Sequence, residues 1–344
     1  MKKVFRFLLV LLAIVIVFAT WVWNSRGGQD WLLETAVNAA LSRPSDMKSY
    51  DGMKIFLCGT SSPLPDPNRA QACVAVLAGE SLYLVDTGAG SARVATLGRL
   101  ELDKLEAVFL THYHSDHIAA LPEFNLNSWV AGRDKPLTVF GPVGISDVVE
   151  GFNDTYRLDS KYRIDHHGAE LLPPEIAVMQ ARLMDAGTTQ QFDDLTVTSF
   201  EVNHDPIRPA VGYRFDYRGR SLVVSGDTII TPGLVEAATD ADLLLQDALS
   251  LLIVQTFERA AGGTRMENIF FDIQDYHAHT TDLQGLVDAS NVRQVALYHL
   301  IPPPQNALFE KIFSRDLPNG TVITEDGMIF ELPANSSKII RVDP

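Results

Sequence analysis

The first pattern along the chain is an apolar run. Lys2, Lys3 and Arg6 precede seventeen residues, Phe7 to Trp23, that read "FLLVLLAIVIVFATWVW". As a helix that run spans about 25 Å, just enough to cross a hydrocarbon core. Trp21 and Trp23 stand at its far end, where aromatic rings favour the membrane interface. The positive flank should stay in the cytoplasm and the remainder should lie outside it, on the periplasmic side. A cleaved signal peptide is the alternative. Its apolar core is usually shorter and is followed by small residues, whereas bulky "TWVWN" follows here. Residues 1–25 are therefore expected to be a retained signal anchor, and 26–52 a short amphipathic helix ("QDWLLETAVNAALSR") with a polar linker ("PSDMKSYDG").

From about Met53 the period changes. "MKIFLCGT" and "CVAVLAGESLYLVDTGAG" read as strands, with a hairpin at Gly79-Glu80. "SARVATLGRLELDKL" suits a helix, and "EAVFLT" and "PLTVFGP" suit strands. "LTVTSFEVN", "AVGYRFDYRGRSLVVSGDT" and "DLLLQDAL" continue the β pattern; "TDLQGLVDASNV" is a helix, "RQVALYHL" a strand and "TVITEDGMIFEL" a closing hairpin. Hairpins followed by strand–helix alternation, twice over, predict two sheets packed face to face with helices outside. The domain runs over 53–334, with a tail at 335–344. Two stretches break the alternation. The first, 147–185, is expected as an insertion over the domain. "ERAAGGTRMENIFFDIQDYH" is expected as an irregular, lid-like segment with a Gly-Gly hinge.

Composition adds boundaries. A chain of 344 residues with 46% hydrophobic and 21% charged residues can bury a full core. Its net charge of −15 opposes polyanion binding and argues against a protein built to hold nucleic acid. The only cysteines, Cys58 and Cys73, lack the CxxC spacing of a thiolate zinc finger. In an exported domain they can pair. Lying in apolar strand-like runs, they are expected as small buried free thiols.

The chemistry concentrates in "FLTHYHSDHIAALPE". "LEAVFLT" is a buried strand by pattern, and the polar cluster begins where it should stop. His112 and His114, two apart, point the same way if the chain is still extended; Asp116 and His117 follow on the turn into a helix. Two adjacent ligand pairs suit two metal ions better than one. Imidazole and carboxylate without thiolate favour zinc, with manganese or iron as alternatives. Two four-coordinate ions need further ligands, and these recur at strand ends: His204 in "FEVNHD", Asp227 in "LVVSGDT" and His299 in "VALYHL". Singly each is an ordinary core or loop polar group. Together they place five of nine histidines in one recurring context. Asp227, with two oxygens, can bridge both ions. His166 and His167 lie outside the pattern, in the 147–185 stretch.

These residues resemble the metallo-β-lactamase fold, a four-layer αββα sandwich. "THYHSDH" matches its T-H-x-H-x-D-H motif and "LVDTGAG" its early strand-end aspartate, Asp86. The resemblance covers about Met53 to Leu332. It implies that His112, His114 and His204 hold one ion and Asp116, His117 and His299 the other. It also implies that Asp227 bridges them and that Asp86 supports the site from behind. "LCGTSSPLPDPNRAQAC", "PLTVFGPVG" and "HTTDLQGLVDASNVRQVALYHL" are similar to the ribonuclease Z branch and its arylsulfatase and phosphodiesterase relatives.

Two cations of this kind hold a water or hydroxide between them, lower its pKa and clamp an anionic ester oxygen. Phosphodiester or sulfate ester hydrolysis is the first expectation, lactone or β-lactam opening the second. A membrane-tethered binding module is the alternative of another class, and the intact ligand set argues against it. Asp116 or His279 is the expected proton donor and His277 a weaker candidate; either histidine can instead be structural. The ribonuclease Z family carries a His-Glu-Ala-Thr segment, whose histidine the resemblance links to leaving-group protonation. Gln246, Asp247, Ala248 and Leu249 stand in its place. Glutamine supplies no proton near neutral pH. The chain is therefore expected not to process tRNA, and to prefer a small anionic ester with a good leaving group. The other expected partner is the membrane, through the N-terminal helix. A homodimer is left open.

Overall fold

The structure, a computed structural model, describes residues 2–42, 45 and 47–344. Residues 1, 43, 44 and 46, which fall in the expected anchor, short helix and linker, lie outside them. The chain divides into two units, Met1–Ser45 and Asp46–Pro344. The first holds two helices, α1 (Lys2–Asn24) and α2 (Arg26–Ser42). α1 buries no residue and is long and apolar enough to cross a membrane. A retained anchor and a signal sequence both fit that description.

The second unit opens with six strands of one sheet: β1 (Tyr50–Gly59), β2 (Cys73–Gly79), β3 (Ser81–Val85), β4 (Leu105–Phe109), β5 (Leu137–Gly141) and β6 (Met179–Leu183). Seven strands of a second sheet follow: β7 (Thr189–Phe192), β8 (Leu195–Glu201), β9 (Val211–Tyr217), β10 (Arg220–Val224), β11 (Leu243–Leu249), β12 (Gln294–Ile301) and β13 (Val322–Ile323). The last two, β14 (Ile329–Pro333) and β15 (Ile340–Val342), return to the first sheet, whose order is β15-β14-β1-β2-β3-β4-β5-β6. The second runs β13-β12-β11-β10-β9-β8-β7.

Alternation along β1 shows how the layers form. Met53, Ile55 and Leu57 join the core between the sheets, with Phe109, Tyr213, Phe215 and Tyr298. Phe56 and Cys58 point the other way, into the helix layer. Strands buried on both faces read as continuous apolar runs, as these do. Helices α3 (Ser91–Leu97), α4 (Ser115–Ile118), α5 (Leu121–Ala131) and α6 (Ile145–His167) belong to the first sheet's side of the chain. α7 (Pro232–Ala238), α8 (Leu251–Ala260), α9 (Arg265–Asp272), α10 (Leu283–Ser290) and α11 (Ala307–Phe313) belong to the second. The result is the four-layer αββα sandwich.

The structure corrects the sequence reading in several places. The 147–185 stretch lies within the alternation: α6 leads to β6, which pairs in parallel with β5 at the sheet edge. Only Ile145 and Val149 of α6 are buried, so its exposed length reads as polar and hid the helix. The "TVITEDGMIFEL" hairpin is a crossing between sheets, because β13 pairs with β12 and β14 with β1. Its turn residue Asp326 accepts hydrogen bonds from Thr60 N, Thr60 Oγ1 and Ala70 N, which pins the turn to the loop after β1. The expected tail contributes β15. The Gly262-Gly263 segment separates two regular helices, α8 and α9.

Cys58 and Cys73, expected as free thiols, form a disulfide, with Cα atoms 5.0 Å apart. Antiparallel neighbours β1 and β2 place them opposite one another where the ladder slips between Leu57 and Gly59. The bond closes the base of the loop 59–72. With the two cysteines 15 positions apart in sequence, such a closure stabilises by about 3 kcal/mol. The double variant Cys58→Ala/Cys73→Ala is expected to lose that amount in urea unfolding. Coincident unfolding curves would show that the bond constrains nothing.

Candidate metal centre

The site forms where strands end. β3, β4, β8, β10 and β12 deliver Asp86, His112, His204, Asp227 and His299 to one edge of the sandwich. Asp86 adopts a positive φ of 58° at the end of β3. His299, with φ 47°, is the extra residue of a bulge: Asp247 faces Tyr298 while Ala248 faces Leu300. The bulge takes His299 out of the ladder and aims its ring into the site. Gly88 also has a steric reason, since a Cβ there would lie 2.2 Å from the carbonyl oxygen of Asp116.

All seven expected ligands converge. His112, His114, His204 and Asp227 form one group and Asp116, His117, Asp227 and His299 another, with the donor atoms of each within 4.8 Å of one another. Asp227 belongs to both. Its Oδ2 lies 3.2 Å from His117 Nε2, 3.3 Å from His299 Nε2, and 3.8 Å from both His112 Nε2 and His204 Nε2. His299 Nε2 also meets Asp116 Oδ2 at 3.1 Å. His114 is half-buried at the mouth, with Nδ1 3.1 Å from His112 Nε2.

The hydrogen bonds behind these residues fix which nitrogen faces inward. Asp86 accepts from Thr111 N at 2.9 Å, from Thr111 Oγ1 at 2.8 Å and from His117 Nδ1 at 2.8 Å. Thr111 Oγ1, having donated its proton, accepts from His112 Nδ1 at 3.1 Å. His204 Nδ1 donates to the Tyr276 carbonyl at 3.1 Å. Three imidazoles are thus protonated on the outer nitrogen and present a bare Nε2 lone pair to the centre. The buried atoms His117 Nε2, His204 Nε2 and Asp227 Oδ1 find no hydrogen-bond partner. Buried polar atoms are nearly always satisfied, so a group of inward-facing unpartnered donors fits a set of cations.

The electrostatics agree. Burial, then neighbouring histidines, holds His112 far below the ordinary imidazole value. Burial brings His204 down to about 4, against the pull of Asp227. Burial opposes ionisation of Asp116, but His117 and His299 outweigh it and hold the carboxyl below its usual range. That suits a ligand and not a proton donor.

The two remaining histidines separate. His279, the expected donor, turns away: its Nε2 donates to the Gln274 carbonyl at 2.6 Å. His277 is buried, its ring 5.1 Å from that of His204 and 5.4 Å from that of His299. Its Nδ1 meets Asp247 Oδ2 at 2.9 Å, and Gln246 Nε2 donates to the other oxygen of Asp247 at 2.6 Å. Asp247 also groups with Asp227, His277 and His299. Sequence reasoning passed over Asp247, which lies inside β11 with Ala248 and Leu249 still to follow and so lacks the strand-end mark. Gln246, read as the residue that removes a proton donor, holds the carboxyl group that meets His277. His166 and His167 end α6 and stand exposed.

A β-lactamase superfamily domain pattern matches residues 82–299. The chain is 34% identical over 253 residues to ribonuclease Z of Mycobacterium bovis, covering 73% of this chain and 86% of that one. The ribonuclease Z of Mycobacterium tuberculosis H37Rv is 32% identical over the same shares. Among solved structures, a metallo-β-lactamase fold protein of Bacillus subtilis superposes with a TM-score of 0.60 at 18% identity, over 82% of this chain and 100% of that one. The short form of human tRNase Z gives 0.58 at 18%, over 81% and 99%. A diphosphatase of the PhnP family gives 0.56 at 16%, over 81% and 98%.

Asp86 is the residue on which this arrangement tests most simply. Asp86→Ala leaves Thr111 N and His117 Nδ1 buried and unpaired. It should lower stability by about 3 kcal/mol or more, read from urea unfolding, and Asp86→Asn should fall between. A loss under roughly 1 kcal/mol would mean that the network does not hold the strand ends together.

Proposed function

The chain belongs to the β-lactamase superfamily, with the metallo-β-lactamase fold and close to ribonuclease Z, and on that premise we propose that it hydrolyses small phosphodiesters with two divalent metal ions, most simply zinc. The observation that carries this reading is the pair of His/Asp groups that share Asp227. Three of their inward atoms, His117 Nε2, His204 Nε2 and Asp227 Oδ1, have no hydrogen-bond partner. His112, His114 and His204 would hold one ion, Asp116, His117 and His299 the other, and Asp227 would bridge. Such ions, when bound, lower the pKa of water and neutralise charge developing on a phosphoryl oxygen.

The remaining work falls to the chain itself. Asp86 and Thr111 set the tautomers of His117 and His112, and the Tyr276 carbonyl sets that of His204. Burial pushes the Asp247 carboxyl well above its usual value, so Asp247 Oδ2 would donate to His277 Nδ1 and leave the proton on Nε2, placed to go to the leaving oxygen; Gln246 keeps Asp247 in register for it. With a donor in place, the Gln246 substitution no longer argues against difficult leaving groups. What supports a small substrate over precursor tRNA is charge and location. The net charge is −15, and between Asp147 and Asp185 eight acidic residues stand against four basic ones. The paired cysteines suit an oxidising compartment. So does an N-terminal helix whose apolar run follows Lys2, Lys3 and Arg6, which we take as a retained anchor with the catalytic unit outside the cytoplasm.

Elemental analysis of the purified protein should give close to two ions per chain. Asp227→Asn should lose one or both, with activity falling by orders of magnitude; nearly normal turnover would remove Asp227 from the site. Substrate class is tested by bis(p-nitrophenyl) phosphate beside a precursor tRNA. Hydrolysis of the ester without release of the 3′ trailer is expected. His277→Ala should slow hydrolysis of a dialkyl phosphodiester, whose poor leaving group needs the proton, by roughly 100-fold or more, with a small effect on the nitrophenyl ester, while His279→Ala has a small effect on both. Efficient site-specific trailer removal at physiological salt would overturn the small-substrate reading.

A further inference from the structure

Tyr276 meets the cluster through its main chain and its side chain alike. The carbonyl accepts from His204 Nδ1 at 3.1 Å. The ring stands nearly perpendicular to that of His204, with centroids 4.9 Å apart, and lies 4.7 Å from the ring of His277. His204 in turn lies 4.8 Å from His112 and 5.3 Å from His114, ring to ring. The phenol therefore borders the His112, His114 and His204 group on one side and the Asp247–His277 pair on the other.

Two other tyrosines near the cluster are used inside the fold. Tyr113 donates to the Pro142 carbonyl and Tyr213 to the Leu110 carbonyl. Tyr276 is only half-buried, and among the described residues its hydroxyl has no partner. Burial first, then Asp227, raises the phenol to about 12, with Asp272, Asp275 and Asp116 adding to it. Carboxylates of both His/Asp groups thus act on a ring that still meets solvent. That combination puts the ring at the mouth of the cluster and not behind it.

Position decides what the ring meets. The leaving oxygen departs towards His277 Nε2, so the group it carries passes beside His277, where the Tyr276 ring stands. We infer that Tyr276 determines specificity for the departing alcohol, its ring serving as the platform for a planar aromatic leaving group. The assignment rests on the phosphodiester reading and on His277 as the donor. The carbonyl bond to His204 and the two flanking imidazoles hold the ring in place, so little freedom is lost when a second ring packs on it. A planar ring gains an offset or edge contact with tyrosine beyond the area it covers, which an alkyl chain does not. Such a contact exists before and during bond cleavage, so it acts on KM and not on kcat.

The test uses the metal-loaded full chain and two esters that differ only in the leaving group, methyl p-nitrophenyl phosphate and methyl 2,2,2-trichloroethyl phosphate. Tyr276→Leu should raise KM for the aryl ester by roughly tenfold relative to the alkyl ester, with kcat carrying little of the change. Tyr276→Phe keeps the ring and should keep the discrimination. Elemental analysis of Tyr276→Leu should match the parent, because the carbonyl that holds His204 belongs to the main chain. Equal changes in KM for the two esters overturn the assignment, as does discrimination lost in Tyr276→Phe. So does loss of metal in Tyr276→Leu, which would make the side chain a support for His204. Turnover of neither ester by the parent sinks the phosphodiester reading, and the assignment with it. Turnover of both, with Tyr276→Leu indistinguishable from the parent, sinks the assignment alone.

Discussion

The carboxylate of Asp86 organises the upper edge of the sandwich. It is fully buried, and a buried charge is tolerated only when its lone pairs are used. Its two oxygens take three hydrogen bonds, two from Thr111 and one from His117. Those bonds join the end of β3 to the end of β4 and, through Thr111, reach His112. The second sheet is tied to the same point by Val211 N on the Thr111 carbonyl and by the Tyr213 hydroxyl on the Leu110 carbonyl. One carboxylate therefore sets strand spacing, sheet spacing and the direction of two imidazole lone pairs. The rest of the cluster assumes that frame.

What sequence reading recovered follows from that construction. A ligand at a strand end leaves a local mark, an apolar run that stops at a histidine or aspartate. The residues of "THYHSDH", with His204, Asp227 and His299, all carry it. The two sheets with outer helices were legible for the same reason, since strand periodicity is local. What escaped depends on contacts distant in sequence. Asp247 is visible only once β11 brings it beside the segment holding His277. His277 and His279 are two residues apart and alike in sequence; the Gln274 carbonyl decides that the second faces away. The disulfide needs the β1–β2 register, and the two-sheet crossing at 322–333 needs the grip of Asp326 on the loop after β1. α6 hid because a helix with two buried residues has almost no apolar stripe to read.

The likeness to ribonuclease Z covers most of the sandwich, 253 residues at 34% identity. The family match spans residues 82–299, which hold all seven residues of the two His/Asp groups. The chain's own character lies in the Gln246–Asp247–His277 arrangement, in the acidic surface between Asp147 and Asp185, and in the apolar helix ahead of the domain. An unchanged engine with altered surroundings is the usual way in which one fold acquires different substrates.

The bulge at His299 has a consequence for how such a chain diverges. β12 pairs regularly with β11 on either side of that one residue. Deleting it would close the ladder without a gap and leave both layers of the core in place, while erasing a side chain shared by both the Asp116 and the Asp247 groups. Loss of activity here is therefore mutationally close and structurally cheap. Paralogues that keep the sandwich but have lost turnover should carry a one-residue deletion at this strand end more often than a disrupted core.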